Sequence, residues 1–214
     1  MAVEVKICGL TRPEDATAAA ESGAAYLGVV FASGPRVVTP SRAAAVTAGA
    51  RGLPVLGVFG SQTVDEILDI AAEAGLAGAQ LHGDYGGEDA ARLRAAGLKV
   101  WRVVRIAAPA DLDRLEGTAT DADAVLVEPR VAGAAGGTGV SLDLAVAREA
   151  RVRLAGRRMV LAGGLTPAGV GAAVALVRPD VVDVSSGVEY LPGIKDPVKI
   201  AAFLEAVFGP SAIS

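Results

Sequence analysis

Cys8, His82, Glu128 and Asp183 each sit at or near the end of a short hydrophobic run, and each can gain or lose a proton. Ionisable groups at buried strand ends are costly to keep without a purpose. Several of them together supply what proton-transfer chemistry needs, an acid and a base on one reacting molecule. Each residue also has a plainer reading. A lone buried cysteine is often a small apolar filler, His82 can simply bond a loop carbonyl, Glu128 can be a paired strand-end acid, and Asp183 can accept from loop N–H groups. The convergence of all four carries more weight than any one of them.

A second group of residues suits an anion. Asp183-Val184-Ser185-Ser186-Gly187-Val188-Glu189 runs from a hydrophobic strand into two hydroxyls and a glycine, then through Pro192-Gly193 to a helix start near Lys195-Asp196. Just upstream, Leu161-Ala162-Gly163-Gly164-Leu165-Thr166-Pro167 likewise ends a strand in glycines and opens a helix. Exposed N–H groups and helix N-termini favour a phosphate, so Gly163, Gly164, Ser185, Ser186 and Gly187 are the expected cradle. Arg36, in the loop Ser33 to Val38, is either solvated or a clamp for a carboxylate. Gly136-Gly137-Thr138-Gly139 is glycine-rich too, a string that more often marks a lid or a turn than a phosphate loop.

Short β-rich runs and alanine-rich helical runs alternate along the whole chain, the signature of a parallel sheet with helices outside it. Strands are expected at 3–8, 26–31, 54–59, 78–82, 99–106, 124–128, 158–162 and 181–185. Helices are expected near 13–22, 41–50, 63–74, 87–96, 109–116, 141–151, 167–177 and 196–208. Eight of each, with no linker between them, predict an α/β fold, a single (β/α)8 barrel domain over residues 1–214. The fifth helical segment has little apolar periodicity and two Asp-rich turns. In a barrel strand every second side chain points inward, which places Lys6 with Cys8, Gln80 with His82, Leu126 with Glu128, and Asp183 with Ser185 on shared faces. Active sites of this fold lie at the C-terminal strand ends.

With 52% hydrophobic and 21% charged residues, the 214-residue chain can fill one substantial core. Its net charge of −4 is scattered and forms no basic stripe, which argues against a nucleic-acid partner. One cysteine and one histidine rule out the usual zinc constellations, so no metal is expected and catalysis falls to ordinary side chains. The uncharged stretch Met159 to Val177 is nearly long enough to span a bilayer, but its glycines and proline fit a buried strand, loop and helix better. The first residues enter a strand pattern directly, which predicts a cytoplasmic protein with no membrane association.

Lys6-Ile7-Cys8-Gly9-Leu10-Thr11, Ser33 to Val38, Val58-Phe59, Gln80-Leu81-His82-Gly83, Gly136 to Gly139, Leu161 to Leu165 and Asp183 to Asp196 together resemble the phosphoribosylanthranilate isomerase family, in order and over most of the chain. The resemblance implies a barrel without cofactor or metal. It also implies a small-molecule substrate, a phosphorylated aryl-amino sugar, rearranged from N-(5-phosphoribosyl)anthranilate to 1-(2-carboxyphenylamino)-1-deoxyribulose 5-phosphate in tryptophan biosynthesis. It implies Cys8 as general base, Arg36 on the substrate carboxylate, and the two glycine and serine loops on phosphate. His82 and Asp183 fall at active-site positions. Lys6, on the same face as Cys8, is expected to lower the thiol pKa.

Two positions depart from the family pattern. Its general acid is an aspartate at the end of strand six, where this chain has Leu126-Val127-Glu128-Pro129, and its F-D-W-like motif is here Leu142-Asp143-Leu144. Glu128 keeps the carboxylic acid on a longer arm and becomes the expected acid. Two other readings stay open: an isomerase or lyase of a related phosphorylated sugar, and a ligand-binding protein without turnover. Retention of both Cys8 and an acid at 128 disfavours the latter. Oligomeric state is left open.

Overall fold

The structure is a computed structural model and describes residues 2–130 and 142–209. Eight parallel strands, β1 (Glu4–Ile7), β2 (Tyr26–Val30), β3 (Val55–Phe59), β4 (Gly78–Leu81), β5 (Lys99–Ile106), β6 (Ala124–Pro129), β7 (Met159–Leu161) and β8 (Val181–Val184), close into a barrel in chain order. The seam is a parallel ladder in which Lys6 pairs with Asp183 and Ile7 with Val184. Around the barrel lie α1 (Pro13–Glu21), α2 (Pro40–Ala48), α3 (Val64–Ala74), α4 (Gly87–Ala95), α5 (Arg114–Ala119), α6 (Leu144–Arg153), α7 (Pro167–Val177) and α8 (Pro197–Phe208).

Strand parity divides the core in two. Outward side chains such as Val5, Leu27, Val127 and Leu161 pack under the helices in one large apolar layer. Inward ones form a separate cluster of Leu56, Trp101, Ala124, Leu126, Val160, Ala162 and Val181 that fills the barrel itself. Following the inward positions up three of the strands, apolar residues give way to ionic ones. Trp101 and Val103 are followed by Arg105 on β5, Ala124 and Leu126 by Glu128 on β6, and Val181 by Asp183 on β8. The apolar floor excludes water beneath the polar mouth, so charges at the mouth interact in a medium that screens them weakly.

Local chemistry explains the helix starts. Thr63 and Glu66 form a reciprocal capping box on α3, and Asp196 accepts from Val198 and Lys199 N–H at the start of α8. The Thr11-Arg12-Pro13 start behaves differently. Arg12 is the cap residue and makes no side-chain cap, while the Thr11 hydroxyl donates instead to the Gly193 carbonyl at 2.6 Å. The fifth helical segment breaks into a 3₁₀ turn (Pro109–Asp113) followed by α5. There the Asp111 carboxylate accepts from Ala107 and Ala108 N–H, offering the backbone an alternative to continuous helix.

One feature was not expected from the sequence. After β8 the chain makes a 3₁₀ turn (Ser186–Val188) and an antiparallel hairpin, β9 (Glu189–Leu191) with β10 (Ile194–Lys195), before α8 begins. The apolar stretch 159–177 is β7, a loop and α7, and among the described residues no helix is long and apolar enough to cross a membrane. Gly136 to Gly139 lies outside the described residues.

Candidate active site

At the C-terminal strand ends Cys8, Arg36, His82, Glu128, Asp183 and Ser185 line one cleft, with an empty volume of about 530 Å³ counting its open mouth. They arrive from the ends of β1, β2, β4, β6 and β8, so only barrel closure brings them together.

Lys6 is fully buried beneath Cys8. Its Nζ lies 3.0 Å from Asp183 Oδ1 and 3.0 Å from Gln80 Oε1. Burial opposes the ammonium, but the charges of Asp183 and Cys8 outweigh it and raise the Lys6 pKa. The same surroundings correct the expectation for Cys8. Burial pushes the thiol pKa up, Lys6 pulls it down, Asp183 pushes it up again, and the net direction is up. Lys6 has the predicted sign but is outweighed by desolvation and partly neutralised by its carboxylate partner.

Glu128 is also buried, and burial again sets the direction, raising its pKa against the hydrogen bond and charge of Arg105. Arg105, facing Glu128 in the β5–β6 register, donates from Nε to Glu128 Oε1 at 3.0 Å. A carboxyl with a raised pKa at a strand end can give a proton to a bound oxygen. His82 stands between these groups. Gln80 accepts from Lys6 through Oε1, and its amide nitrogen lies 2.7 Å from His82 Nε2. Arg105 Nη2 donates to His82 Nδ1 at 3.0 Å, and the same ring nitrogen lies 3.5 Å from Glu128 Oε1. Burial, then the charges of Arg105 and Lys6, lowers the His82 pKa to about 3. The ring is neutral throughout the working range.

Arg36 grips Glu189 with two parallel bonds, Nε to Oε1 and Nη2 to Oε2, both 2.7 Å. Lys195 Nζ reaches the same Oε1 at 2.8 Å and the Ser185 carbonyl at 3.1 Å. Among the described residues the Nη1 group of Arg36 makes no hydrogen bond, and the side chain lines the cleft. The glycine loop after β7 is adjacent. Gly163 and Gly164 adopt φ of 97° and 62°, a left-handed pair that turns the backbone sharply out of the strand. At Gly187 a Cβ would drive into the Leu165 carbonyl, so only glycine lets the Ser185-Ser186-Gly187 turn close on the β7 loop. Ser185 thus belongs to the cleft wall, while Gly163, Gly164, Ser186 and Gly187 form the neighbouring loop pair.

Three residues of this site escaped the sequence reading. Arg105 shares the inward parity of Trp101 and Val103, a signal that was there to be used. Glu189 and Lys195 lie inside the recognised motif, but their partnership with Arg36 depends on the hairpin.

The family model for N-(5'-phosphoribosyl)anthranilate (PRA) isomerase matches residues 5–206. The N-(5'-phosphoribosyl)anthranilate isomerase of Symbiobacterium thermophilum is 43% identical, the alignment covering 96% of this chain and 98% of the relative. That of Paracoccus denitrificans is 41% identical, covering 98% and 99%. The crystal structure of the phosphoribosyl anthranilate isomerase from Thermotoga maritima superposes with a TM-score of 0.86 at 34% identity, covering 96% of this chain and 98% of that one. A further isomerase structure, a complex with reduced 1-(o-carboxyphenylamino)-1-deoxyribulose 5-phosphate, superposes with a TM-score of 0.83 at 33% identity, covering 96% and 98%. With its closed barrel and its cleft at the strand ends, the chain belongs to the N-(5'-phosphoribosyl)anthranilate isomerase family.

Proposed function

We propose that this chain isomerises N-(5-phosphoribosyl)anthranilate in tryptophan biosynthesis, with Glu128 as general acid and Cys8 as general base. The observation that carries the assignment is their shared cleft: two buried proton-exchanging groups from the ends of β1 and β6, beside an arginine and a loop pair suited to anions. Arg36 takes the substrate carboxylate on its open edge, and Gly163, Gly164, Ser185, Ser186 and Gly187 hold the phosphate at the other end.

Between these anchors the chemistry is proton traffic. Glu128 gives its proton to the furanose ring oxygen as the C1–O bond breaks, and the nitrogen lone pair forms an iminium at C1. The Cys8 thiolate removes the C2 proton, and the electron pair left behind neutralises the iminium to an enolamine. Tautomerisation places a proton on C1 and leaves a ketone at C2. His82, neutral and oriented by Gln80, faces the acid without competing for its proton. Asp183 holds Lys6 where its charge favours the thiolate. The longer arm of Glu128 is steadied by Arg105. The setting of this activity is the cytoplasm.

The test is turnover of phosphoribosylanthranilate by the purified chain, together with growth of a tryptophan auxotroph lacking this step. Product formation and restored growth are expected; tight ligand binding with neither would overturn the assignment.

A further inference from the structure

Glu189 is the most heavily used carboxylate among the described residues, and nothing in the proton traffic requires it. Its side chain is 5% exposed, against 12% for Arg36 and 0% for Lys195. It accepts both edge donors of Arg36, the Lys195 ammonium, and the Gly193 N–H at 3.2 Å. Burial alone would raise its pKa, but the hydrogen bond from Arg36 and the charge of Lys195 bring it below the ordinary value. It is therefore an anion wherever the protein works.

The position of this anion is what gives it meaning. One cation it holds is the carboxylate clamp. The other bonds the Ser185 carbonyl and lies 3.5 Å from the Ser185 hydroxyl, at the strand end that begins the phosphate turn. The clamp and the turn also meet directly across the backbone of Gly9. That residue has φ of 71°, and a Cβ there would lie 2.5 Å from Arg36 Cδ and 2.8 Å from Ser185 Oγ. The hairpin is pinned from its far side, with Lys195 N–H on Asp15 and Thr11 on Gly193.

We propose that Glu189 is a positioning residue that ties the carboxylate clamp and the phosphate turn together at one fixed separation, so that a substrate with an anion at each end is measured against a rigid gauge. Without its charge, Arg36 and Lys195 repel each other in a poorly screened interior, and the clamp and turn move independently. Glu189 touches no reacting atom. Its contribution falls on binding, and on both ends of the ligand at once. This inference rests on the assignment of Arg36 to the carboxylate and of the Ser185 turn to phosphate.

The experiment compares the parent, Glu189→Gln, Glu189→Asp, Arg36→Met and the Arg36→Met/Glu189→Gln double variant. Two readouts are taken: kcat and KM for phosphoribosylanthranilate, and inhibition by ribose 5-phosphate, which carries the phosphate but no carboxylate. Glutamine turns an N–H pair toward donors, and hydrogen bonds to charged groups are of a strength whose loss weakens binding about ten- to a hundredfold. Glu189→Gln is expected to raise KM at least about tenfold and to weaken ribose 5-phosphate severalfold, with kcat changed far less. Glu189→Asp should recover part of both. On the Arg36→Met background the glutamine substitution should raise KM much less than on the parent, because the two residues act as one unit.

Unchanged KM and unchanged inhibition in Glu189→Gln overturn the proposal, as do strictly additive effects in the cycle or a loss confined to kcat. If the glutamine variant does not fold, Glu189→Asp decides: it must raise KM and weaken ribose 5-phosphate, and parental values for both overturn the proposal. A parent that binds ribose 5-phosphate yet turns over no phosphoribosylanthranilate counts against the reaction. The ribose 5-phosphate comparison then still judges the link from Glu189 through Lys195 to Ser185.

Discussion

The acid side and the base side of the cleft are built alike and work out differently. Each has a buried proton-exchanging group, Glu128 or Cys8, next to a cation from a neighbouring inward position, Arg105 or Lys6. On both sides burial outweighs the cation and favours the protonated form. For an acid this is the useful form, whereas for a base it is the idle one. The competent pair is a carboxylic acid at Glu128 with a thiolate at Cys8. The same desolvation that prepares one partner holds back the other.

The sharpest way to break this comparison is to remove the base. Cys8→Ser should fold and bind substrate but lose about 10³- to 10⁴-fold in kcat, the upper range for a general base, because a hydroxyl is hardly ionised near neutrality. Serine with full activity would mean that another group takes the C2 proton, Asp183 first. On the acid side Glu128→Gln should lose at least about a hundredfold in kcat, while Glu128→Asp keeps activity or gains it. An undiminished glutamine variant, measured where chemistry limits the rate, would place the proton elsewhere.

The neutral histidine between the two sides gives a test of stability. Its folded pKa, about 3, is depressed below that of the unfolded chain, which binds the proton first as pH falls. The contribution is fully present above about pH 6.5 and is lost progressively toward pH 3. Between pH 7 and 5 this one residue should cost roughly 2 kcal/mol, measurable by urea unfolding and diminished in His82→Asn. A ring signal in NMR that titrates near its ordinary value would refute the assignment.

The smallest effects sharpen the contrast most. Arg105 lowers the Glu128 pKa, so Arg105→Met should move the acidic limb of kcat/KM upward and leave the alkaline limb, set by Cys8, nearly in place. Asp183 raises both groups, so Asp183→Asn should slide both limbs downward together. Identical profiles from the two variants would show that the acid and the base do not titrate as separate partners.

The barrel and most of its polar mouth were legible because strand alternation is a local signal. Once Cys8, His82, Glu128 and Asp183 stood at strand ends, closure had to bring them together. Two things were not legible. The sign of the Cys8 shift depends on burial against a cation that is itself paired with Asp183, a balance that has no counterpart in spacing. The partnership of Arg36 with Glu189 spans 153 residues and exists because an unpredicted hairpin turns the acid back toward β2. The break in the fifth helical segment was foreshadowed by its Asp-rich turns, since a side chain that caps N–H groups locally competes with helix wherever it stands.

Lys6 waits for a partner 177 positions further along the chain. At synthesis rates of about 5–20 residues per second, that is an interval of roughly 10–35 s in which the seam of the barrel cannot close. Throughout it the only cysteine of the protein is in water at its ordinary acidity, more reactive than it will be once enclosed. In the finished molecule the same group lines the cleft with its pKa raised, so it is less nucleophilic near neutral pH than in the newborn chain. A thiol reagent would mark this protein chiefly by its age.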